Sequence, residues 1–230
     1  MHNFLSQIPL FSIVLTIGAF QIGLWCQKKT KSPLCNPILI GTALVIGVLL
    51  LTGFDPQAYQ EGTASMSWLL TPATVCLAVP LSRQLKLLKR NLPAILAGIT
   101  AGTLASLACI LLLCRAFGLQ EQLTISLLPK SVTVALGLVL SEGNNGIPAL
   151  TSVAILITGI LGNLSGSMLC KILRLQNPVC QGVAFGTASH IVGTARANEI
   201  DPLTGAVSSL SLVVAGVLTT LLFPLALKLL

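Results

Sequence analysis

The sequence predicts an all-α, polytopic transmembrane helical bundle of seven to eight segments, two of them interrupted or re-entrant. Three observations predict it. The 230 residues are 54% hydrophobic and only 8% charged, with a mean hydropathy of +0.92, where soluble domains carry roughly a quarter charged residues. Apolar runs on the scale of the roughly 20 helical residues that cross a bilayer core follow one another along the chain. Two weaker runs are short, rich in Gly, Ser and Thr, and carry an ionisable residue each. With 13 Lys and Arg and 6 Asp and Glu, charge is too sparse to clothe a water-soluble particle. Disorder, collagen-like repeats and a secreted disulfide framework are excluded with it.

The strong segments run from about Pro9 to Trp25, Asn36 to Leu51, Met66 to Leu81, Leu92 to Cys114, Pro148 to Leu169 and Leu203 to Leu227. Met1 to Gln7 lacks the basic residues of a signal peptide, so the first segment is expected to stay as a membrane helix. The weak stretches are Leu127–Leu140 and Gly182–Thr194. Short, interrupted hydrophobic segments in corresponding positions of two halves point to a transport site, because unwound backbone is tolerated at membrane depth only where it lines a cavity or is buried in protein.

The net charge of +7 follows the ends of apolar runs rather than a nucleic-acid surface. Lys28, Lys29 and Lys31 are expected inside, Asp55 and Glu61 in an outer loop, and Arg83, Lys86, Lys89 and Arg90 inside again, with the N-terminus outside. Lys171 and Arg174 also favour the inside, which is satisfied if Leu127–Leu140 dips into the bilayer and returns; eight plain crossings are the alternative. The chain, 1–230, reads as a single membrane domain with a twofold repeat of about 1–118 and 122–230, its inversion left open. The repeat rests on short matches: Asn36-Pro37-Ile38-Leu39 with Ile147-Pro148-Ala149-Leu150, Gly62-Thr63-Ala64-Ser65 with Gly186-Thr187-Ala188-Ser189, and Leu92-Pro93 with Asp201-Pro202.

Two constellations carry the chemistry. In Leu128-Pro129-Lys130-Ser131-Val132-Thr133 a proline leaves free N–H groups at a helix start and Lys130 adds a full positive charge, which suits a carboxylate or phosphate. The alternative is a lysine that snorkels to the interface beside an ordinary helix start. The second runs from Gly186 through Thr187, Ser189, His190, Gly193, Thr194 and Arg196 to Glu199. Its glycines permit close approach or a break, and its hydroxyls can hold a substrate. His190 titrates near neutral pH, and Arg196 either forks onto a carboxylate or pairs with Glu199. The alternative is a tightly packed helix with His190 on a neighbouring carbonyl and Arg196–Glu199 at the water interface. Glu142 in the turn Ser141–Gly146 either faces Lys130 or is solvated. Thr71-Pro72-Ala73-Thr74 offers a kink and hydroxyls for another cavity wall, or helix packing.

The seven cysteines form no CxxC pair and read as packing residues. Walker, dinucleotide, HExxH and GxSxG patterns are missing, so no enzymatic activity, catalytic residue, metal or cofactor is expected.

At these residues the sequence strongly resembles the LrgB/CidB family of bacterial inner-membrane proteins, including its YohK-type members. The resemblance covers nearly the whole chain: Asn36-Pro37, Leu128 to Thr133, Gly146-Ile147-Pro148-Ala149, and above all Gly186-Thr187-Ala188-Ser189-His190 with Gly193-Thr194-Ala195-Arg196 and Glu199. It implies a multi-pass protein of the bacterial cytoplasmic (inner) membrane. It also implies two kinds of role. One is a holin-like or antiholin-like regulator of murein hydrolase activity and cell lysis, working with a smaller LrgA/CidA partner. The other is transport, since a plastid relative looks like a glycolate/glycerate translocator and bacterial pairs look like pyruvate carriers. The residues favour the second. A small monocarboxylate would be moved by alternating access, with Pro129, Lys130, Ser131, Thr133, Gly186, Thr187, Ser189, His190, Gly193, Thr194, Arg196 and Glu199 as candidate binding residues. A co-transported proton or sodium ion, an LrgA/CidA-like partner and a homo-oligomeric assembly are the expected companions, and nucleic acid is not.

Overall fold

The computed structural model describes residues 9–30, 37–69 and 85–230, and between 70 and 84 only Pro72, Cys76 and Ser82. Among the described residues there are nine helices and no strand: α1 (Pro9–Thr30), α2 (Pro37–Thr52), α3 (Pro56–Ser67), α4 (Leu85–Ala116), α5 (Glu121–Leu127), α6 (Val134–Glu142), α7 (Pro148–Ile172), α8 (Pro178–Ile200) and α9 (Pro202–Leu227). They fall into two compact units, Met1–Leu77 and Ala78–Leu230.

The helices α3, α7, α8 and α9 each begin on a proline, which loses nothing at a position where the N–H has no intrahelical partner. The residue ahead often supplies the missing acceptor. Asp55 accepts from Gln57 N at 3.0 Å, Asn177 from Val179 N at 2.8 Å, and Asp201 from Leu203 N at 2.9 Å and Thr204 N at 3.0 Å. Asp201→Ala removes the one oxygen that accepts both bonds and is expected to destabilise the start of α9 by about 1 kcal/mol, read as a lower melting temperature in detergent. Asp55 and Glu61 were expected in a loop. The cap and Pro56 instead start α3, which carries Glu61 on an exposed face.

In the first unit α1 packs against α2 and α3. Gly23 lets the α1 backbone meet Pro37, where a Cβ would stand 2.7 Å from the proline carbonyl oxygen. Thr16 and Tyr59 share a hydrogen bond of 2.6 Å, and Lys29 lies over the Trp25 ring at 4.9 Å, an arrangement common at membrane interfaces.

The second unit is organised around α8, which packs against α4, α7 and α9. Its neighbours approach closely because small residues face each other. A Cβ on Gly186 would collide with the Ser208 carbonyl of α9, one on Gly162 of α7 with Ser189, and one on Gly102 of α4 would stand 3.0 Å from the Thr187 methyl. Ile95 and Ile99 of α4 pack on Val207 and Ala215 of α9 to form the apolar centre.

The side-chain distribution is that of a lipid-embedded body. On α9, Val213, Val217, Leu221 and Leu225, four residues apart, are all exposed, while Thr204, Ser208, Ser209 and Ser211 are buried. Water would reverse that arrangement. Among the described residues four helices are long and apolar enough to cross a membrane, Leu10–Thr30, Lys89–Ala116, Pro148–Ile172 and Pro202–Leu227, and Pro37–Thr52 is a shorter apolar helix. The third expected segment falls mostly outside the described residues, as do the positions 71, 73 and 74 of the Thr-Pro-Ala-Thr motif. The two Gly-Thr-Ala-Ser runs have different surroundings. Thr63 bonds back to the carbonyl of Tyr59 in α3, whereas Thr187 bonds to nothing.

Candidate functional site

Both weak stretches of the sequence are broken in the structure. Pro129 removes the amide that would bond to the carbonyl four residues earlier. The chain therefore leaves α5 at Leu128, makes tight turns through Lys130 N to Leu127 O at 3.1 Å and Val132 N to Pro129 O at 3.2 Å, and re-enters helix at Val134. Thr133 precedes α6 without a side-chain cap bond, so the first turn of α6 keeps free amides.

In α8 the break is one residue, His190, at φ 42° and ψ −135°. A non-glycine residue held there costs on the order of 1–3 kcal/mol and needs support from its surroundings. Its ring nitrogen Nε2 lies 2.9 Å from the Ile155 carbonyl of α7, and since a carbonyl only accepts, Nε2 carries the proton. The loosened backbone is covered by side chains: Thr194 Oγ1 donates to His190 O at 2.9 Å and Asn163 Nδ2 to Val192 O at 3.1 Å. This is how a helix tolerates a break away from water.

Between α4, the 128–133 turn and the first half of α8 lies a cleft of about 690 Å³. Its walls are mainly apolar, from Ala94 and Gly98 of α4 to Val179, Val183 and Ala184 of α8. Ser106, Lys130, Ser131 and Thr187 provide its oxygen and nitrogen atoms, and the thiols of Cys109 and Cys180 complete it. Lys130 Nζ donates to Ser131 Oγ at 3.0 Å and to Ser106 Oγ at 3.5 Å. Among the described residues the one ion pair is Arg196–Glu199, so no carboxylate answers Lys130; Glu142 is exposed elsewhere. An ammonium group at such a site, half-buried and without a counter-ion, favours an incoming anion.

The hydroxyls repeat that asymmetry. Thr and Ser inside helices commonly bond to their own i−4 carbonyl, as Thr100 does to Leu96 at 2.8 Å and Ser165 to Leu161 at 2.6 Å. Thr103 and Thr187, only 3% and 7% exposed, make no hydrogen bond at all. Together with Ser106 and Ser131 they line a void of about 10 Å³, room for a single oxygen-sized group. Unpaired buried hydroxyls are costly, and a ligand oxygen would satisfy them. Thr187→Val keeps the shape and removes the orphaned group. It is expected to hold or raise the melting temperature while weakening carboxylate binding about fivefold, the value of one ordinary hydrogen bond. A fall in stability would mean that the hydroxyl serves packing.

The sequence candidates divide by wall. Lys130, Ser131 and Thr187 meet in the cleft. Pro129 is buried behind the turn, where its carbonyl holds Val132, and Thr133 starts α6. Ser189 and His190 face α7 at Gly162 and Gly159. Gly186 and Thr194 face α9, Thr194 Oγ1 lying 2.8 Å from Ser208 Oγ, and Gly193 packs against Phe185 and Ser189 of its own helix. Arg196 donates to Glu199 at 2.7 Å and to Ser167 at 3.2 Å, at a partly exposed end of α8. It is engaged there by its own helix and by α7, away from the cleft lining.

The LrgB-like family profile matches residues 16–229, across both units and both breaks. The chain belongs to this family. It is 33% identical over 215 residues to the "Holin-like protein CidB" of Staphylococcus aureus, covering 94% of each chain. It is 34% identical over 225 residues to the "Antiholin-like protein LrgB" of Bacillus subtilis, covering 97% of each, and 32% identical over 224 residues to the "Holin-like protein CidB" of Staphylococcus epidermidis, again 97% of each. No solved structure matches.

In this LrgB-like chain the cleft and the small void at its polar end also draw on residues that sequence reasoning passed over. Thr103, Ser106 and Cys109 lie in the apolar run of α4, where Gly, Ala, Ser and Thr alternate as in any close-packed membrane helix. Cys180 was read as packing, but it is exposed in the cleft, whereas Cys114 and Cys170 are buried. One signal was available: Thr103, Ser106 and Cys109 recur at three-residue steps, close enough to the helical repeat to share a face.

Proposed function

We propose that the chain is a secondary-transporter-like protein of the bacterial inner membrane. Its cleft receives the carboxylate of a small organic monoanion, the class to which glycolate, glycerate and pyruvate belong, and passes it by alternating access. The observation that carries this reading is Lys130, turned into a cleft with no carboxylate partner and flanked by the unbonded hydroxyl of Thr187. Ser131 and Ser106 hold the ammonium in place, and Thr187 and Thr103 donate to the anion. His190 fixes the α8 break through α7, and a proton or sodium ion coupled to substrate completes the cycle. The reading gives the chain no covalent step and no enzymatic activity. The proposed arrangement has seven to eight segments with a twofold repeat of about 1–118 and 122–230, the 128–133 turn and His190 both interrupting the second half, in a homo-oligomer or with an LrgA/CidA-like membrane partner. The test is counterflow in proteoliposomes with and without that partner. Saturable exchange of labelled carboxylate supports the reading, and leakage that does not saturate opposes it.

The names of the relatives support a second reading. Holin-like and antiholin-like proteins of this family, at 33% and 34% identity over nearly the full chain, suggest control of murein hydrolase activity and lysis by the membrane assembly itself, without a substrate. Under that reading deletion and overexpression shift autolysis rates, and Lys130→Ala leaves that effect unchanged.

A further inference from the structure

Close approaches between α4 and α8 order the cleft along its length. Gly98 stands against Val183 and Gly102 against Thr187, so the two helices run in the same direction and equal steps along each stay level. Lys130, Ser106, Ser131 and Thr187 therefore crowd one end. From Thr187 back to Val179, about 12 Å at 1.5 Å per residue, the walls are Gly98, Ala94, Val183, Ala184 and finally Leu175, with the Cys180 thiol their most polar group. The void of about 10 Å³ beyond the polar end accepts one oxygen. The 690 Å³ of the cleft corresponds to roughly 20 water volumes at about 30 Å³ each and lies within the range of about 300–1,000 Å³ typical of drug-sized ligands. A two- or three-carbon acid would fill only the polar end.

We propose that the cleft selects monocarboxylates with an apolar body, the head on Lys130 and the hydroxyls and the chain lying between α4 and α8 toward Leu175. This rests on the anion-binding reading above and sharpens it. Acids that carry oxygens far from the carboxylate are disfavoured, because the walls beyond Thr187 offer those oxygens no hydrogen-bond partner, whereas the α-oxygen of a hydroxy or keto acid stays at the polar end.

The test is equilibrium binding of a straight-chain series, acetate to octanoate, together with glycolate, glycerate and pyruvate, to the full chain in lipid nanodiscs, with Lys130→Ala and Ala94→Phe in parallel. The expected result is affinity rising about fourfold per added methylene, the equivalent of about 0.8 kcal/mol. The rise should vanish in Lys130→Ala and turn downward in Ala94→Phe once the chain reaches that level. A flat series with Lys130-dependent binding of short acids overturns the selectivity and leaves the anion site standing, the apolar stretch then being an entry vestibule. A rise that persists in Lys130→Ala is partition into lipid and overturns it as well. If no acid of any length binds in a Lys130-dependent way, the anion site falls too.

Discussion

Replacement of Lys130 by alanine is expected to weaken carboxylate binding by about 10- to 100-fold. A hydrogen bond to a charged group contributes on the order of 1.5–3 kcal/mol, and among the described residues no other lysine or arginine lines the cleft to substitute for it. Stability should move the other way. The ammonium sits half-buried, bonded to Ser131 and Ser106 and without an ion-pair partner, so removing it removes a desolvation cost. Binding of labelled acid to the purified protein, with a melting curve on the same samples, reads both quantities. Weaker binding with equal or higher stability marks a ligand-binding lysine. Unchanged binding with lower stability marks a structural one, and Lys130→Arg, which keeps the charge in a different shape, should recover part of the binding only in the first case.

The largest effect on the fold is expected at Gly186. A side chain there meets the Ser208 carbonyl group of α9, which is main chain and cannot rotate aside, as well as the Ser211 side chain. Gly186→Val should therefore cost at least the about 1–3 kcal/mol usual for overpacking, read as lost monodisperse yield and a much lower melting temperature. Gly47 of α2 makes the control, since a Cβ there meets nothing within 4 Å. Gly47→Ala should be neutral or stabilising by up to about 1 kcal/mol, through helix propensity alone. Similar losses at both positions would mean that α8 and α9 are not packed as described.

Much of this was legible in the sequence because membrane helices announce themselves by composition and proline. Pro148 and Pro202 start helices within a residue or so of the expected positions. The 128–133 interruption was equally legible, because Pro129 cannot donate. The start of α4 was not. Apolarity suggested Leu92, but the chain is already helical at Leu85 and stays so through Pro93, since Lys86, Lys89 and Arg90 are good helix formers. The α8 break was legible only as a region. Small and hydroxyl residues mark a place where a helix can break, but the residue that breaks is chosen by the Ile155 carbonyl of another helix. For the same reason the sequence did not separate Thr187, which opens on the cleft, from Ser189, which faces Gly162. Neighbours along a helix point about 100° apart, and only the packed bundle says which direction is the cavity.

The central claim is that an organic anion occupies the cleft at Lys130, and Cys109 reports on it directly because its thiol is exposed on the same wall. The measurement is the alkylation rate of Cys109, followed by peptide mass spectrometry in nanodiscs with and without a carboxylate, in the parent chain and in Lys130→Ala. The account predicts that carboxylate slows Cys109 at least several-fold in the parent and has no effect in Lys130→Ala, while Cys26 in the first unit reacts alike throughout. A Cys109 rate that no carboxylate changes in the parent chain would contradict it.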